Sequence, residues 1–307
     1  MNDVQPRISD AHGHFFSHQF FQTLARGMSP APAEQDLYGE LGRYLPFEFP
    51  PTDPAGLAER WVEELDRHRV DSMVVMASVP GDEASVDIAG KVSGGRLVPF
   101  FMVDPTAADA PGRVERAFED MSLKAMALFP AMHHFHLWDE RLTPLIDCAR
   151  RSGAAVFVHC GVLKLGIRDK LGLESPFDLR FANPVDLNGI ARAFPDVPFI
   201  VPHFGGGFFR ELLMTASECP NIFTDTSSSN AWMLLQAAPM SLVDVFRRAI
   251  DVMGVERLLY GSDSSFFPRG WQRSHFEAQA ELLGTIGLSV DERAAILGGN
   301  LRRILGI

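Results

Sequence analysis

Five residues with metal-binding side chains stand at the ends of apolar runs in this sequence. His12 and His14 follow the run Arg7–Ala11, His159 ends VFVH, His203 ends FIVPH, and Asp263 ends LLYGSD. Residues two apart on a strand point to the same side, so His12 and His14 can face one site together. Imidazole nitrogens and carboxylate oxygens bind divalent metals from positions that converge in space. A lone histidine is ordinarily a core or surface residue, but five such residues at strand ends predict a metal site.

Further polar side chains near these runs have two interpretations each. His133, His134 and His136 crowd the segment after the fourth run, where they either line a pocket or belong to a solvated loop. Arg180 and Arg269 are suited to bind a substrate carboxylate through the forked geometry of the guanidinium group. Surface salt bridges are the alternative for both arginines. We retain all five as candidate substrate-binding residues.

The candidate residues need a scaffold that brings distant strand ends together. Short apolar runs alternate with segments of helical periodicity, as in a parallel sheet buried on both faces. The runs are Arg7–Ala11, Ser72–Ala77, Leu97–Val103, Leu123–Phe129, Ala154–His159, Pro198–Pro202, Asn221–Asp225 and Arg257–Tyr260. The helical segments include Leu57–Arg69, Glu140–Arg151, Val185–Phe194, Arg210–Ser217, Leu242–Met253, His275–Leu283 and Asp291–Leu297. Eight strands alternating with helices predict an α/β fold, a (β/α)8 TIM barrel with its active site at the C-terminal strand ends.

We expect a single barrel domain over residues 1–307, with an extended insertion after the first strand at residues 15–56. The insertion is rich in proline and phenylalanine, which predicts an ordered excursion with little regular structure. It leaves from the active-site end, so it is a candidate lid or the arm of a homodimer, with a mere decoration as an equal alternative. We predict that it covers the barrel mouth or a partner subunit, because its aromatic residues would otherwise be exposed.

Composition and charge exclude several classes of protein. The 307 residues carry a formal net charge of −11, which disfavours nucleic acid and anionic membranes as partners. With 46% hydrophobic and 22% charged residues, the composition is that of a globular protein. The three cysteines form no CxxC pair, which argues against a disulfide framework or a zinc ribbon. The N-terminal residues are polar and no apolar run approaches the length of a membrane span, so we expect a cytoplasmic protein that binds a small-molecule substrate.

The order of the candidate residues resembles that of the amidohydrolase superfamily. HxH after the first strand, His after the fifth and sixth, and Asp after the eighth are similar to its motifs, and the resemblance covers nearly the whole chain. The segments LFPAMHHFHLWDERLTPLIDCARRSGAAVFVHCG and LLYGSD resemble the amidohydrolase-related group, which includes aminocarboxymuconate semialdehyde decarboxylase-like enzymes. The resemblance implies that His12, His14, His159 and Asp263 hold one zinc ion. It also implies that His203 lies beside the metal as an acid/base or an additional ligand.

The fourth predicted strand has no lysine at its C-terminal end, and this bears on how many metal ions the site can hold. Binuclear members of the superfamily bridge two metals with a carbamylated lysine at the end of the fourth strand. Lys124 is the lysine of that strand here, and at ~3.3 Å per residue it lies roughly 15 Å below the strand end. We therefore predict one metal per chain, Zn²⁺ or alternatively Mn²⁺.

The chemistry of such a site leaves three functions open. A catalytic zinc lowers the pKa of the water bound to it towards ~7, and Asp263 can accept the proton of that water. His203 can stabilise an oxyanion or protonate a leaving group. This predicts a metal-dependent hydrolase acting on a small cyclic or carboxylated substrate. A non-oxidative decarboxylase would use the same ligands and protonate the carbon that loses CO₂. A non-catalytic metal-binding barrel is disfavoured because both proton-transfer residues are present.

Overall fold

Eight parallel strand positions follow one another around a barrel in the order of the chain. The computed structural model of the protein describes residues 7–227 and 231–307. Its strands are β1 (Ser9–Asp10), β2 (His14–Phe15), β3 (Ser72–Ala77), β4 (Leu97–Val103), β5 (Ala125–Leu128), β6 (Ala155–Val158), β7 (Phe199–Val201), β8 (Ile222–Asp225) and β9 (Leu258–Leu259). β1 and β2 are two halves of the first barrel strand, and both pair with β3. The ends meet where Ala11 N donates to Tyr260 O at 2.7 Å. The predicted (β/α)8 barrel is confirmed.

Helices connect the strands and cover the barrel. They are α1 (His18–Ala25), α2 (Leu37–Gly42), α3 (Pro54–His68), α4 (Glu83–Val92), α5 (Ala110–Glu119), α6 (Pro130–His133), α7 (Leu142–Arg151), α8 (Gly166–Lys170), α9 (Leu187–Ala193), α10 (Phe209–Glu218), α11 (Leu242–Met253), α12 (Arg273–Thr285), α13 (Val290–Ala294) and α14 (Asn300–Leu305). Local sequence sets their ends, as in α3, where the Asp53 side chain accepts from Ala55 N and Pro54 begins the helix. Within the described residues, no helix combines the length and apolarity needed to cross a lipid bilayer.

The apolar core has two layers because successive strand residues point to opposite sides. In β3, Val74 and Met76 belong to a cluster that also contains Phe100 of β4 and Phe157 of β6. Val75 lies between them in sequence but belongs to the larger cluster that contains the buried faces of the helices. The first cluster therefore fills the barrel, and the second fills the space between strands and helices.

The first strand differs most from its prediction. The expected run Arg7–Ala11 is paired with β3 only at Ser9–Asp10, and pairing resumes at His14. Ala11 and His12 hydrogen-bond instead to the end of the last strand and the loop after it, since Ala11 N donates to Tyr260 O at 2.7 Å and Asp263 N donates to His12 O at 2.9 Å. By contrast, the strands Ser72–Ala77 and Leu97–Val103 have their predicted bounds.

The insertion at residues 15–56 contains more regular structure than its composition predicts. It folds into α1, α2 and a short 3₁₀ turn, so the expectation of little regular structure was wrong. Ser17 caps α1 by accepting a hydrogen bond from Phe20 N, and the apolar side of α1 packs against α2 in a cluster of their own. Leu171, from the loop after β6, completes this cluster. The insertion thus packs against a loop at the C-terminal end of the barrel.

Candidate metal centre

The ends of the first and last barrel strands bring His12, His14 and Asp263 together. Nε2 of His14 lies 3.2 Å from Oδ1 of Asp263, and Nε2 of His12 lies 3.7 Å from the same oxygen. One ligand atom from each of the three residues lies within 4.8 Å of the others. Three donors at this separation are close enough to share one metal ion.

His159 and His203 complete the group from the fifth and sixth strands. The His203 ring lies 4.8 Å from that of His12 and 5.2 Å from that of His159, measured between centroids. Nδ1 of His159 is buried and has no hydrogen-bond partner within residues 7–227 and 231–307. Buried ring nitrogens ordinarily have a partner, so this lone pair is available to a metal. The structure therefore gathers all five residues that the sequence singled out.

Unusual backbone conformations set the direction of two of these side chains, those of His203 and Asp263. His203 and Asp263 have positive φ values of 57° and 59°, which cost non-glycine residues about 1–3 kcal/mol each. The peptide oxygen of Asp263 accepts hydrogen bonds from Arg269 Nη2 at 3.0 Å and Gln272 Nε2 at 3.2 Å. These contacts support the unusual backbone conformation of Asp263, whose carboxylate lies against the two histidines of the first strand.

Two buried residues of the site, Asp225 and Ser227, escaped the sequence reasoning. Oδ2 of Asp225 lies 2.8 Å from Nδ1 of His12, and its Oδ1 accepts from the backbone N–H groups of His203 at 3.1 Å and Ser227 at 3.0 Å. Gly261 makes room for this packing, since a Cβ there would lie 3.0 Å from Cβ of both His12 and Ser227. A signal existed: Asp225 ends an apolar run, as the other candidate residues do.

Charges around His12 decide the protonation of the site. Burial by itself lowers the pKa of the His12 imidazole, but the carboxylates of Asp225, Asp263 and Asp10, with Asp225 foremost, together raise that pKa to about 9. Burial lowers the pKa of the other three imidazoles, those of His14, His159 and His203. For Asp263, burial raises the carboxyl pKa, but the hydrogen bond from His14 and the charge of His12 hold it below its usual range. A divalent metal requires neutral imidazoles and an ionised carboxylate, so His14, His159 and Asp263 are already in the form that binds, whereas His12 releases a proton when a metal binds.

A cavity of about 710 Å³ opens above these residues at the C-terminal end of the barrel. His14, His159, His203 and Asp263 all line it. Most of the remaining wall is apolar and comes from the insertion, from β4 and from the loops, including Phe16, Phe20, Met102, Phe129, Met132, Leu163, Trp232 and Leu235. The metal-binding groups therefore form a polar floor beneath walls suited to an apolar or aromatic molecule.

The predicted substrate-binding arginines occupy different positions. Arg269 lines the cavity, and its guanidinium lies 4.5 Å from the centre of the Phe266 ring. Arg180 lies outside the cavity, is exposed, and forms an ion pair with Asp178 at 2.5 Å. The structure thus places Arg269, and not Arg180, where it can contact a bound molecule.

The three histidines after the fourth barrel strand also lie away from the cavity wall. Nε2 of His134 lies 2.6 Å from the carbonyl oxygen of Pro176, and Nδ1 of His136 lies 3.1 Å from the carboxylate of Asp186. His133 is the last residue of α6, and Met132 beside it is the residue that reaches the cavity. His134 and His136 therefore hold the loop against its neighbours, in agreement with the loop alternative, whereas Nδ1 of His133 is buried and has no hydrogen-bond partner within the described residues.

The end of the fourth barrel strand carries an aromatic ring where a bridging lysine would stand. Lys124 precedes β5, at the opposite end of that strand from the cavity. Phe129 follows β5, and its ring stacks on His159 at 5.3 Å between centroids. The set of donors at the cavity floor, imidazoles with one carboxylate, fits a single divalent cation such as Zn²⁺ or Mn²⁺.

Comparison with known proteins places this geometry in context. The sequence profile of the amidohydrolase family, Amidohydro_2, matches residues 9–307. Among proteins with curated descriptions, none matches the sequence.

Several solved structures share the fold over nearly the whole chain. A 5-carboxyvanillate decarboxylase from Novosphingobium aromaticivorans, complexed with manganese and 4-hydroxy-3-methoxy-5-nitrobenzoic acid, is 13% identical with a TM-score of 0.69, covering 100% of this chain and 98% of that one. A putative 2-pyrone-4,6-dicarboxylic acid hydrolase from Pseudomonas putida is 18% identical with a TM-score of 0.61, covering 99% and 98%. An amidohydrolase from Burkholderia multivorans with bound zinc is 13% identical with a TM-score of 0.60, covering 98% and 99%. At these identities the likeness concerns the fold.

Proposed function

The chain belongs to the amidohydrolase family, and on that premise we propose that it is a metal-dependent hydrolase of an ester, lactone or C–N bond in a small cyclic or carboxylated substrate. Members of this family are metal-dependent hydrolases or carboxy-lyases, and this chain is an enzyme of that kind. The observation that carries the proposal is the convergence of His12 Nε2 and His14 Nε2 on one oxygen of Asp263 at the floor of an apolar cavity.

Four residues hold one metal in this proposal: His12, His14, His159 and Asp263. The free Nδ1 of His159 and the shared oxygen of Asp263 support this set. The position of Lys124 supports a single ion, because no carbamylated lysine can reach the cavity floor from the start of β5. We propose Zn²⁺, with Mn²⁺ as the alternative.

The reaction needs a nucleophile and two proton transfers. A divalent metal, when bound, supplies Lewis acidity that lowers the pKa of water and polarises a carbonyl group. Asp263 and His203 carry the proton: it leaves the attacking water as the new C–O bond forms, and it reaches the leaving oxygen or nitrogen as the old bond breaks. Both side chains line the cavity, so both can contact the reacting atoms.

The cavity wall favours a substrate with an apolar or aromatic body and one anionic group. Phe16, Phe20 and Phe129 contribute aromatic side chains to the wall, and Arg269 contributes a cation beside the floor. Within residues 7–227 and 231–307, Arg269 donates through Nη2, to Asp263 O and Ser265 Oγ, which leaves its other N–H groups for a carboxylate.

A decarboxylase is the second candidate, and the same arginine favours it. An aromatic acid would place its carboxylate between Arg269 and the metal-binding residues, within otherwise apolar walls. The C–C bond to the carboxylate then breaks, CO₂ leaves, and a proton takes its place on the ring carbon. The ligand set serves both reactions, so the products must separate them.

Isotopic solvents distinguish the two reactions directly. The zinc-loaded protein is incubated with panels of lactones, esters, amides and aromatic or dienoic acids in H₂¹⁸O and, separately, in D₂O. Hydrolysis places one ¹⁸O in the product acid, whereas decarboxylation releases CO₂ and leaves a C–D bond. Chelator-treated protein is the control. Release of CO₂ with deuterium incorporation would overturn the hydrolase in favour of the second candidate, and metal-independent turnover would overturn both.

A further inference from the structure

We propose that Ser227 is a positioning residue that holds His203 as the tautomer protonated on Nδ1, so that its other nitrogen, Nε2, begins the reaction as a proton acceptor. The inference deepens the proposed function and rests on it where it concerns the order of proton transfers. The assignment of the tautomer rests on geometry alone.

Ser227 lies at the centre of a fully buried group of hydrogen-bonding atoms. Its Oγ is 2.9 Å from Nδ1 of His203 and 3.0 Å from Nδ1 of His12. The same Oγ makes a very short contact with Oδ1 of Asp225. Ser227 and Asp225 have no exposed surface, and the two histidines are 7% exposed or less. Solvent therefore does not screen these contacts, and the close pair of oxygens, Ser227 Oγ and the carboxylate Oδ1 of Asp225, needs a proton between its atoms.

The number of available protons fixes the arrangement. Asp225 is an acceptor only, and Ser227 Oγ has one hydrogen to donate. If that hydrogen pointed to His203, the close oxygens of Ser227 and Asp225 would face each other with no proton between them. The hydroxyl must therefore donate to Asp225, and Oγ must accept from Nδ1–H of His203. A neutral imidazole protonated on Nδ1 carries a lone pair on Nε2.

This tautomer sets the sequence of events at His203. An imidazole that begins with a lone pair on Nε2 cannot protonate a leaving group until it has gained a proton. The proton that Asp263 takes from the attacking water therefore passes to Nε2 before the bond breaks, and the same proton then passes to the leaving atom. The positive charge formed in between is stabilised through Nδ1–H, Ser227 and the carboxylate of Asp225. This order differs from one in which His203 begins as the acid.

The same network predicts that metal binding survives the loss of the hydroxyl group. Nδ1 of His12 has its own acceptor in Oδ2 of Asp225 at 2.8 Å. Substitution Ser227→Ala leaves that contact, and the two backbone N–H bonds to Asp225 Oδ1, in place. The variant removes the partner of His203 Nδ1 together with the hydroxyl contacts to Asp225 and to His12 Nδ1, whereas His12 Nδ1 keeps Asp225 as its acceptor.

Nuclear magnetic resonance of the zinc-loaded protein with ¹⁵N-labelled histidine tests the tautomer without any substrate. Two-bond ¹H–¹⁵N correlations separate protonated from unprotonated ring nitrogens, and the signals lost in His203→Gln identify the residue among the ten histidines. We expect the wild type to show Nδ1 protonated and Nε2 unprotonated, and Ser227→Ala to lose that pattern. A wild type protonated on Nε2 would overturn the inference and leave the hydrolase untouched. An Nε2 signal shifted by direct zinc coordination would make His203 a ligand and overturn its role as a proton acceptor.

Kinetics with a substrate from the panel above test the consequence. Ser227→Ala should keep its zinc and its KM while kcat falls roughly tenfold to a hundredfold, less than the 10²–10⁴-fold that a whole acid–base group supplies. Ser72→Ala is the matched control, because Ser72 is a buried serine whose hydroxyl bonds to Ser9 away from the site. An unchanged kcat in Ser227→Ala would overturn the positioning role. If the wild type fails to hydrolyse any substrate, the proposed function falls while the resonance result still decides the tautomer.

Discussion

Replacing Asp225 with asparagine should weaken metal binding although Asp225 is not proposed as a ligand. Its Oδ2 lies 2.8 Å from Nδ1 of His12, which keeps the proton on Nδ1 and leaves Nε2 free for a metal. Asparagine offers one oxygen and one NH₂ group in the same space. The effect depends on which of the two faces His12.

The surrounding donors decide the orientation of the new amide. Oδ1 of Asp225 accepts from the N–H groups of His203 at 3.1 Å and Ser227 at 3.0 Å. Turning an NH₂ towards these two donors leaves both unsatisfied, at a cost of about 1–3 kcal/mol each. The amide therefore keeps its oxygen there and turns its NH₂ towards His12. Nδ1 of His12 must then accept a hydrogen bond, which moves its proton to Nε2 and opposes metal binding.

The expected loss is tenfold to a hundredfold in zinc affinity, or about 1.4–2.8 kcal/mol, as for other partners of metal-bound histidines. Competition with a chelator of known affinity measures it, and thermal unfolding shows that the variant is folded. Asp186→Asn is the matched control, since Asp186 pairs with His136 at 3.1 Å outside the cavity. A folded Asp225→Asn protein with wild-type zinc affinity would refute this reasoning.

Three further predictions concern charge, substrate binding and the insertion. The pKa of His12 is raised in the folded, chelator-treated protein, so the pairing of His12 with Asp225 stabilises the fold fully below pH 6.5, and this stabilisation is lost as the pH rises through about 9. Urea unfolding across this pH range should show the loss of stability in the wild type and a smaller loss in Asp225→Asn. Arg269→Ala should raise KM for an anionic substrate about tenfold to a hundredfold in steady-state kinetics, whereas Arg180→Ala should leave KM unchanged. Equal changes in KM in the two variants would contradict the placement of Arg269 in the binding site. Phe16→Ala should raise KM for an apolar substrate several-fold, roughly the value of a lost aromatic contact, whereas Tyr44→Ala in the same insertion should not.

The barrel was predictable because its signals are local and repeated. Apolar runs such as Ser72–Ala77 are buried on both faces, so their composition alone marks them as strands. The first strand was not predictable in detail, because its interruption depends on hydrogen bonds to residues about 250 positions away, as between His12 and Asp263. The helices of the insertion were obscured by its many proline and phenylalanine residues, and its phenylalanines pack in a cluster with leucines of the insertion and with Leu171.

The floor of the site was predictable for the same reason as the barrel. His12, His159, His203 and Asp263 end apolar runs, and the fold turns that shared position into proximity. The contacts around the floor depend on side-chain directions that no run reveals. Arg180 and Arg269 look alike in the sequence, yet one pairs with its neighbour Asp178 and the other faces the cavity.

The role of Asp225 could not be predicted from its position in the sequence. It ends its run like the metal-binding candidates, but its carboxylate turns to the ring nitrogen of His12 that faces away from Asp263. Sequence position identified the strand end, and only the packing around Gly261 and Ser227 shows that this acid supports other residues.

The zinc content of three proteins tests the central claim most directly. Wild type, His203→Ala and Asp263→Ala are equilibrated with zinc, freed of excess ion and measured by elemental analysis alongside their protein concentration. The account predicts about one zinc per chain in the wild type and in His203→Ala, and much less in Asp263→Ala, which lacks the anionic ligand. Two tightly held ions per wild-type chain, or a metal-free His203→Ala beside a fully loaded Asp263→Ala, would contradict it.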